Sequence, residues 1–249
     1  MWSTAISIDK RYGREFAYIL GEVKKNKYSS CAVEESRFRY FVQVVSEEKY
    51  RAAVVRDVIR IVADVILIYF KARYLKKRLT DGRGGDDAGT VGDAMAILIS
   101  SLIYFDVGIE SRILNGIITD SDEYSVDGLF MFRMGELIYN WDELCALSAG
   151  LLSLNPSDSD ILNLTSFLID ASKGKKNKIT VSGADEISVF NVTTNEKIYI
   201  HDIFSDEKQN LTNAIISCYP EEICLKNKNL SERVLNVLKK IVKIQAAEI

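Results

Sequence analysis

KITVSGADEISVFNVTTNEKIYIHDI, residues 178–203, decides the fold class. Its apolar residues recur at every second position, which turns one side of each short run inward as a strand. KITVSG, EISVFNV and EKIYIHDI read as three strands, and TNE (Thr194–Glu196) reads as a hairpin turn between the last two. The residues before them have helical spacing instead. Strands gathered after a run of helices predict an α+β protein, not an alternating α/β one. Downstream, the spacing predicts a helix over Glu207–Cys218, a strand at EEICLKN and a last helix over Ser231–Ile244. The C-terminal part is therefore expected to be a small mixed sheet with helices, in the order β-β-β-α-β-α.

The N-terminus has its own two-residue period. TAISID (Thr4–Asp9) reads as a strand. Lys10–Lys27 follows as a helix with Phe16, Ile19, Leu20 and Val23 on one face. CAVEES and RFRYFVQVV are strands around a turn near Glu35–Ser36. This is a small β-α-β-β unit. Ser46, followed by Glu47 and Glu48, fits an N-cap. The helix it opens is expected to run from Glu47 to Leu79. Its centre, IVADVILIYF (Ile61–Phe70), is apolar almost all round, as in a central core helix. Asp57, Arg60, Asp64 and Lys71 share a narrow face of it. Arg56, Asp57, Arg60, Asp64, Lys71 and Arg73 interrupt any apolar span long enough for a bilayer, so no membrane insertion is expected. Helices are further expected over Met95–Phe105, Ile109–Ile118, Gly128–Leu154 with a break near Trp141, and Asp158–Ser172. The expected parts are an N-terminal unit (1–46), a helical region (47–172) and a C-terminal unit (173–249).

Composition sets bounds on function. The chain has 249 residues, enough for a sizeable core, with 47% hydrophobic and 27% charged residues. No cationic-then-apolar leader opens it, and Cys31, Cys145, Cys218 and Cys224 are scattered without a CxxC, so reduced thiols in a cytoplasmic protein are expected. The net charge of −3 conceals blocks. Residues 1–80 carry 17 Lys/Arg against 9 Asp/Glu, residues 81–170 carry 3 against 16, and residues 171–249 carry 12 against 10. The basic block admits nucleic-acid binding, but its cations alternate with acids and form no stripe between stacking aromatics.

The chemistry-bearing residue types are sparse. His201 is the single histidine, so a Ser-His-Asp or Cys-His device would have to use it. Its place at the end of a strand suits a structural role. TDGRGGDDAGTVGD (Thr80–Asp93) is glycine-rich but lacks the GK[ST] ending of a phosphate loop and carries acids that repel anions. DSDE (Asp120–Glu123) lacks the DxDxDG pattern of a calcium loop. No cofactor, metal or small-molecule ligand is expected, and no catalytic residue is identified.

YSVDGLFMFRM (Tyr124–Met134) carries the one distinctive cluster. Ser125 or Asp127 can cap a helix, and Gly128 admits close approach of a neighbour. Leu129 and Phe132 follow helical spacing, and Phe130, Met134 and Leu137 form an adjacent stripe. Arg133 lies at the edge of the apolar face, where a guanidinium can fork onto a carboxylate or stack on a ring. The reading from residues alone is a capped amphipathic helix with a structural Arg133–carboxylate pair.

VDGLFMFRM also resembles a signature of the YtxC-like family, sporulation-associated proteins of endospore-forming bacteria: hydrophobic-x-G-F-x-x-F-R-hydrophobic. Leu129 stands where that pattern has an aromatic. LTNAIISCYPEEICLKN resembles the family's C-terminal pattern of a Ser-x-x-Pro between apolar runs, and the resemblance covers roughly residues 120–227. It implies an expression context, spore formation, and no particular reaction. It also singles out Asp127, Gly128, Phe130, Phe132 and Arg133 as motif or interaction residues. The expectation is a non-enzymatic cytoplasmic protein that binds another protein. The alternative is nucleic-acid binding through the basic N-terminal segment or through LKNKNLSERVLNVLKKIVK.

Overall fold

The structure, a computed structural model, describes residues 1–80, 92–151, 156–171, 177–183, 187–226, 235–236, 238–239 and 242–246. It is an α+β protein with two sheets, divided into two compact units. One unit holds Met1–Tyr74 and Val107–Asp142, the other Leu75–Asp106 and Glu143–Ile249.

The first unit is built on a four-stranded sheet of order β2-β3-β1-β4. β1 (Trp2–Asp9) leads into α1 (Gly13–Lys25), and β2 (Ser29–Glu35) and β3 (Arg39–Ser46) form a hairpin. β3 runs antiparallel to both β1 and β2, with Ile6 opposite Val42 and Cys31 opposite Val44. The even-numbered side of β1 and β3 (Ile6, Ile8, Val42, Val44) is buried. The tail of the expected Ser46-capped helix is correct, but its start is not. Ser46 is the last residue of β3, and a 3-10 turn at Glu48–Tyr50 precedes α2 (Arg51–Asp64). The all-round apolar stretch then widens into a π-helical turn at Val65–Phe70, every residue of it buried, before α3 (Lys71–Thr80). The polar residues of this run are each met. Asp64 accepts from Tyr18 Oη at 2.9 Å and Arg60 Nη1 at 3.0 Å, and Lys71 Nζ meets both carboxylate oxygens of Glu110 at 2.7 and 2.8 Å.

β4 (Glu123–Ser125) was not visible in the sequence, because three residues are too short to show a period. It pairs parallel to β1, Ser7 opposite Ser125, and this draws Val107–Asp142 into the first unit. The division therefore does not coincide with boundaries at 46 and 172. α5 (Val107–Ile117) precedes β4; α6 (Val126–Arg133) and α7 (Gly135–Leu151) follow it. The helix break falls at Met134, not near Trp141, which is fully buried inside α7.

The second unit holds α4 (Asp93–Phe105), α8 (Asp158–Ala171) and a five-stranded mixed sheet of order β7-β6-β5-β8-β9. β5 (Asn177–Ser182), β6 (Ser188–Asn191) and β7 (Glu196–Ile198) form the antiparallel part, with Asn195 in the left-handed region at the hairpin turn. α9 (Glu207–Ile216) crosses to β8 (Pro220–Leu225), which lies parallel to β5. Ile179, Val181, Val189, Leu211, Ile215 and Ile223 form its core. The last helix was expected to reach Ile244. Instead Lys243–Ala246 is β9, parallel to β8, since a sheet edge offers this tail backbone partners that a helix end does not. Earlier in that segment Leu235, Asn236 and Leu238 are helical, with the Lys239 amide donating to the Leu235 carbonyl at 2.9 Å and the Val242 amide to that of Leu238 at 2.8 Å. Residues 231–234, 237 and 240–241, the phosphate-loop candidate over 81–91 and the KGKK of the basic turn lie outside the described residues.

α4 is almost wholly buried, and Ser100 and Ser101 return their hydroxyls to the carbonyls of Ala96 and Ile97. Among the described residues no single helix is long and apolar enough to cross a membrane.

Candidate functional site: a groove beside the last strand of the first sheet

Parallel pairing brings the carboxyl ends of β1 and β4 side by side, so Asp9 and the start of α6 meet at one rim of the sheet. Arg39, opposite Asp9 in the β1–β3 register, reaches across to them. Its Nη1 donates to Asp127 Oδ2 at 3.0 Å and its Nη2 to Asp127 Oδ1 at 2.8 Å. Nη2 also lies 2.9 Å from Ser125 Oγ and 3.1 Å from Ser7 Oγ. The Asp9 amide donates to Asp127 Oδ1 at 3.3 Å, and Ser7 Oγ donates to Glu123 Oε1 at 2.7 Å. A bidentate fork of this kind fixes orientation as well as contributing energy.

The predicted site residues now separate into two sets. Asp127 is buried beneath Arg39 and positions α6 on the sheet. Gly128 does admit a close neighbour: a Cβ there would stand 2.7 Å from Ser125 Oγ, the hydroxyl that meets Arg39. Phe130 packs inward, 5.0 Å from the Phe70 ring and 6.0 Å from Trp141. Met134 and Leu137 continue that stripe into the core. Phe132 and Arg133 are turned the other way. Phe132 is 84% exposed, and Arg133 is exposed with no hydrogen bond or ion pair to any described residue. The expected structural Arg133–carboxylate pair is therefore corrected: the fork in this motif belongs to Asp127 and Arg39. The helix break at Met134 explains the change of face, because Arg133 sits on the last turn of a short helix and not in the middle of a long one.

Phe132 and Arg133 border a groove of about 460 Å³. Ile117 and Leu129 contribute apolar wall, Tyr124 and Gly128 contribute floor, and Asp120 stands on the rim. Asp120 is held by Arg51 Nη2 at 2.9 Å, which ties the calcium-like DSDE stretch to α2. Tyr124 is buried, its hydroxyl accepts from the Ser121 amide, and burial raises its pKa. What the groove presents is shape, an aromatic edge and one uncommitted guanidinium. Those are means of recognition.

A second polar cluster was not foreseen. Glu110 Oε1 accepts from both Lys71 Nζ and Trp141 Nε1 at 2.7 Å, and all three side chains are buried. The available signal was Lys71 itself, a lone cation at the end of an apolar run. Arg39 was hidden by sequence distance, since its partner Asp127 is 88 positions away.

His201 is buried, its ring 4.9 Å from Tyr199 in an edge-on contact. The four cysteines are free thiols; Cys145 and Cys218 are buried, and burial raises the Cys218 pKa to about 11. Among the described residues no group of three His, Cys, Asp or Glu side chains is arranged to hold a metal ion. The motif resembling the YtxC-like C-terminal pattern forms α9, the turn at Tyr219 and β8, with Asn177 Nδ2 donating to the Cys218 carbonyl at 2.6 Å and Tyr219 Oη to that of Tyr104. In comparison with known proteins, no family model, curated protein or solved structure matches the chain.

Proposed function

We propose that this is a non-enzymatic, cytoplasmic, sporulation-associated protein that acts by binding another protein through the groove bordered by Phe132 and Arg133. The observation that carries the reading is the split within one motif. Asp127, Gly128 and Phe130 are committed to building α6 onto the sheet, whereas Phe132 and Arg133 are exposed beside a groove and contribute little to packing. Aromatic residues and arginine are both enriched in protein–protein interfaces relative to the rest of the surface. The sporulation context rests on the YtxC-like resemblance.

The groove is favoured over nucleic-acid binding by the state of the N-terminal cations. Lys10, Arg39, Arg51, Arg60, Lys71 and Arg73 are each engaged by a carboxylate, and the remaining cations alternate with acids and form no stripe between stacking aromatics.

The test is the yield of heat-resistant spores from the source organism, with the gene deleted and then restored as wild type, Phe132→Ala or Arg133→Ala. Each variant is expected to stay within about 0.5 kcal/mol of wild-type stability, because the side chains removed are exposed. Deletion should lower the yield, and only the wild type should restore it. Full rescue by both variants would remove the groove from the account, and a normal yield after deletion would remove sporulation.

A further inference from the structure

The groove beside β4 joins a closed strand edge to the flank of a helix. β4 has three residues and runs straight into α6. Glu123, at its head, has both backbone groups occupied: Ser121 Oγ donates to the Glu123 carbonyl at 3.0 Å and accepts from the Glu123 amide at 3.4 Å. An extended peptide finds little backbone to pair with here, which disfavours strand addition as the mode of recognition. The helical side offers side chains instead. Leu129, Phe132 and Arg133 stand at i, i+3 and i+4 of α6 and so share one flank of it. Ile117, the last residue of α5, and Ile118 add apolar surface.

Charge gives the groove a direction. Its charged lining residues are Asp120, Glu123 and Arg133. Asp120 is answered by Arg51 Nη2 at 2.9 Å, and Glu123 Oε1 by the Ser7 hydroxyl at 2.7 Å. Arg133 is answered by no described residue. Glu123 precedes α6 and Arg133 ends it, and a helix of eight residues is about 12 Å long. An acidic group on a bound partner is therefore attracted at the Arg133 end and repelled at the Glu123 end.

Resting on the groove as the binding site proposed above, we infer that its occupant is an amphipathic helix of a partner protein with an acidic residue beside its apolar stripe. A ridge such as Leu129–Phe132–Arg133 packs between the ridges of a second helix. The partner's apolar residues cover Leu129 and Phe132, and its Glu or Asp forks onto the Arg133 guanidinium.

The experiment is selection from a phage-displayed library of random amphipathic-helix peptides on the full chain. Synthetic hits are then measured by fluorescence anisotropy against wild type, Phe132→Ala and Arg133→Glu. Both side chains are exposed, and a retained unfolding transition shows that each variant folds. Hits are expected to carry an acid beside the apolar stripe and to lose about tenfold in affinity with either variant. They are expected to lose binding when a proline is placed in mid-helix. Selection on Arg133→Glu is expected to return Lys or Arg where the acid stood. Hits that need Phe132 but ignore the charge at position 133, or that tolerate the proline, would overturn the acidic helical occupant and leave the groove as a binding site. Hits that ignore Phe132, or no hits, would overturn both. A chain that is dimeric in light scattering and monomeric as Phe132→Ala would give the groove to a second copy, which also overturns the partner helix.

Discussion

Glu110 and Asp127 are both carboxylates held by a cation within the first unit, and they sit in opposite kinds of surroundings. Glu110 is sealed: the Lys71 side chain is fully buried, the Glu110 side chain only 4% exposed, and Trp141 supplies a further donor. Asp127 lies under Arg39, whose side chain is 28% exposed, in a network of serine hydroxyls at the rim of the sheet. In both places the hydrogen bonds are short and well aligned. The difference is what replaces a lost partner. At Glu110 nothing can, whereas loss of the part-exposed Arg39 side chain would open Asp127 to water. Burial, more than the number of hydrogen bonds, should therefore set the penalty for disruption. The sealed cluster ties α3, α5 and α7 together, and the rim network orients α6 beside the groove.

The sharpest way to break this contrast is Lys71→Ala. It leaves a buried carboxylate with only Trp141 as partner, and a loss of about 3–5 kcal/mol is expected in chemical denaturation. Replacing both partners, Lys71→Met with Glu110→Gln, keeps an acceptor for Trp141 Nε1 and removes both charges. The double variant should recover most of the loss, since a buried ion pair is often no better than a neutral packing of the same shape. A loss under about 1 kcal/mol for Lys71→Ala would mean that water enters this cluster and that it is not sealed.

The rim is probed more gently at Gly128. Alanine there puts Cβ 2.7 Å from Ser125 Oγ, so that hydroxyl must move away from Arg39. Alanine is also the better helix former, by about 1 kcal/mol. With Ser125 present the clash should win, and Gly128→Ala should destabilise by about 1 kcal/mol. In a Ser125→Ala background the hydroxyl is gone, and the same substitution should become neutral or stabilising. Equal effects in both backgrounds would show that the glycine is not there for Ser125, and the double-mutant cycle reads that coupling directly.

The two regions also differ in how far the sequence discloses them. β1, α1, the β2–β3 hairpin and the C-terminal strands are visible because each spans enough residues for its period to show. Apolar phase locates α6, and Gly128 announces a close approach, but the expected cap is not made: Ser125 gives no side-chain cap bond, and Asp127 lies inside the helix with its carboxylate on Arg39. The parallel partner of β1 is not visible, because β4 is three residues long and its pairing is set by tertiary contact. For the same reason Asp127 is readable as important, but its partner is not. Arg133, in the same motif, is the natural choice on local spacing, yet the helix break at Met134 turns it outward and leaves the fork to Arg39. Lys71 shows the converse. One cation at the end of Ile61–Phe70 demands a buried anion, while nothing in the sequence says which of many acids supplies it.

Asp64 stands between the sealed and the open case and should give the smallest effect. Its side chain is 30% exposed, and it accepts from Tyr18 and Arg60. Burial raises its pKa above the ordinary 3.8, and the bonds from Tyr18 and Arg60 only partly oppose this. The folded protein therefore holds the Asp64 proton at pH values where the unfolded chain has released it. Below 3.8 both states are protonated and the stabilisation is fully present. As pH rises through the raised folded value it is lost. Neighbouring Glu22 has the opposite sign: burial would raise its pKa, but bonds from Lys25 and Arg60 outweigh that and lower it. Total stability mixes the two, so the useful quantity is the difference between wild type and Asp64→Asn. That difference is expected to move against the wild type by about 1 kcal/mol or less between roughly pH 3.5 and pH 7 in urea denaturation. Parallel pH profiles for the two proteins would mean that Asp64 ionises in the fold as it does in the open chain, and that its burial beside Tyr18 and Arg60 carries no penalty for its charge.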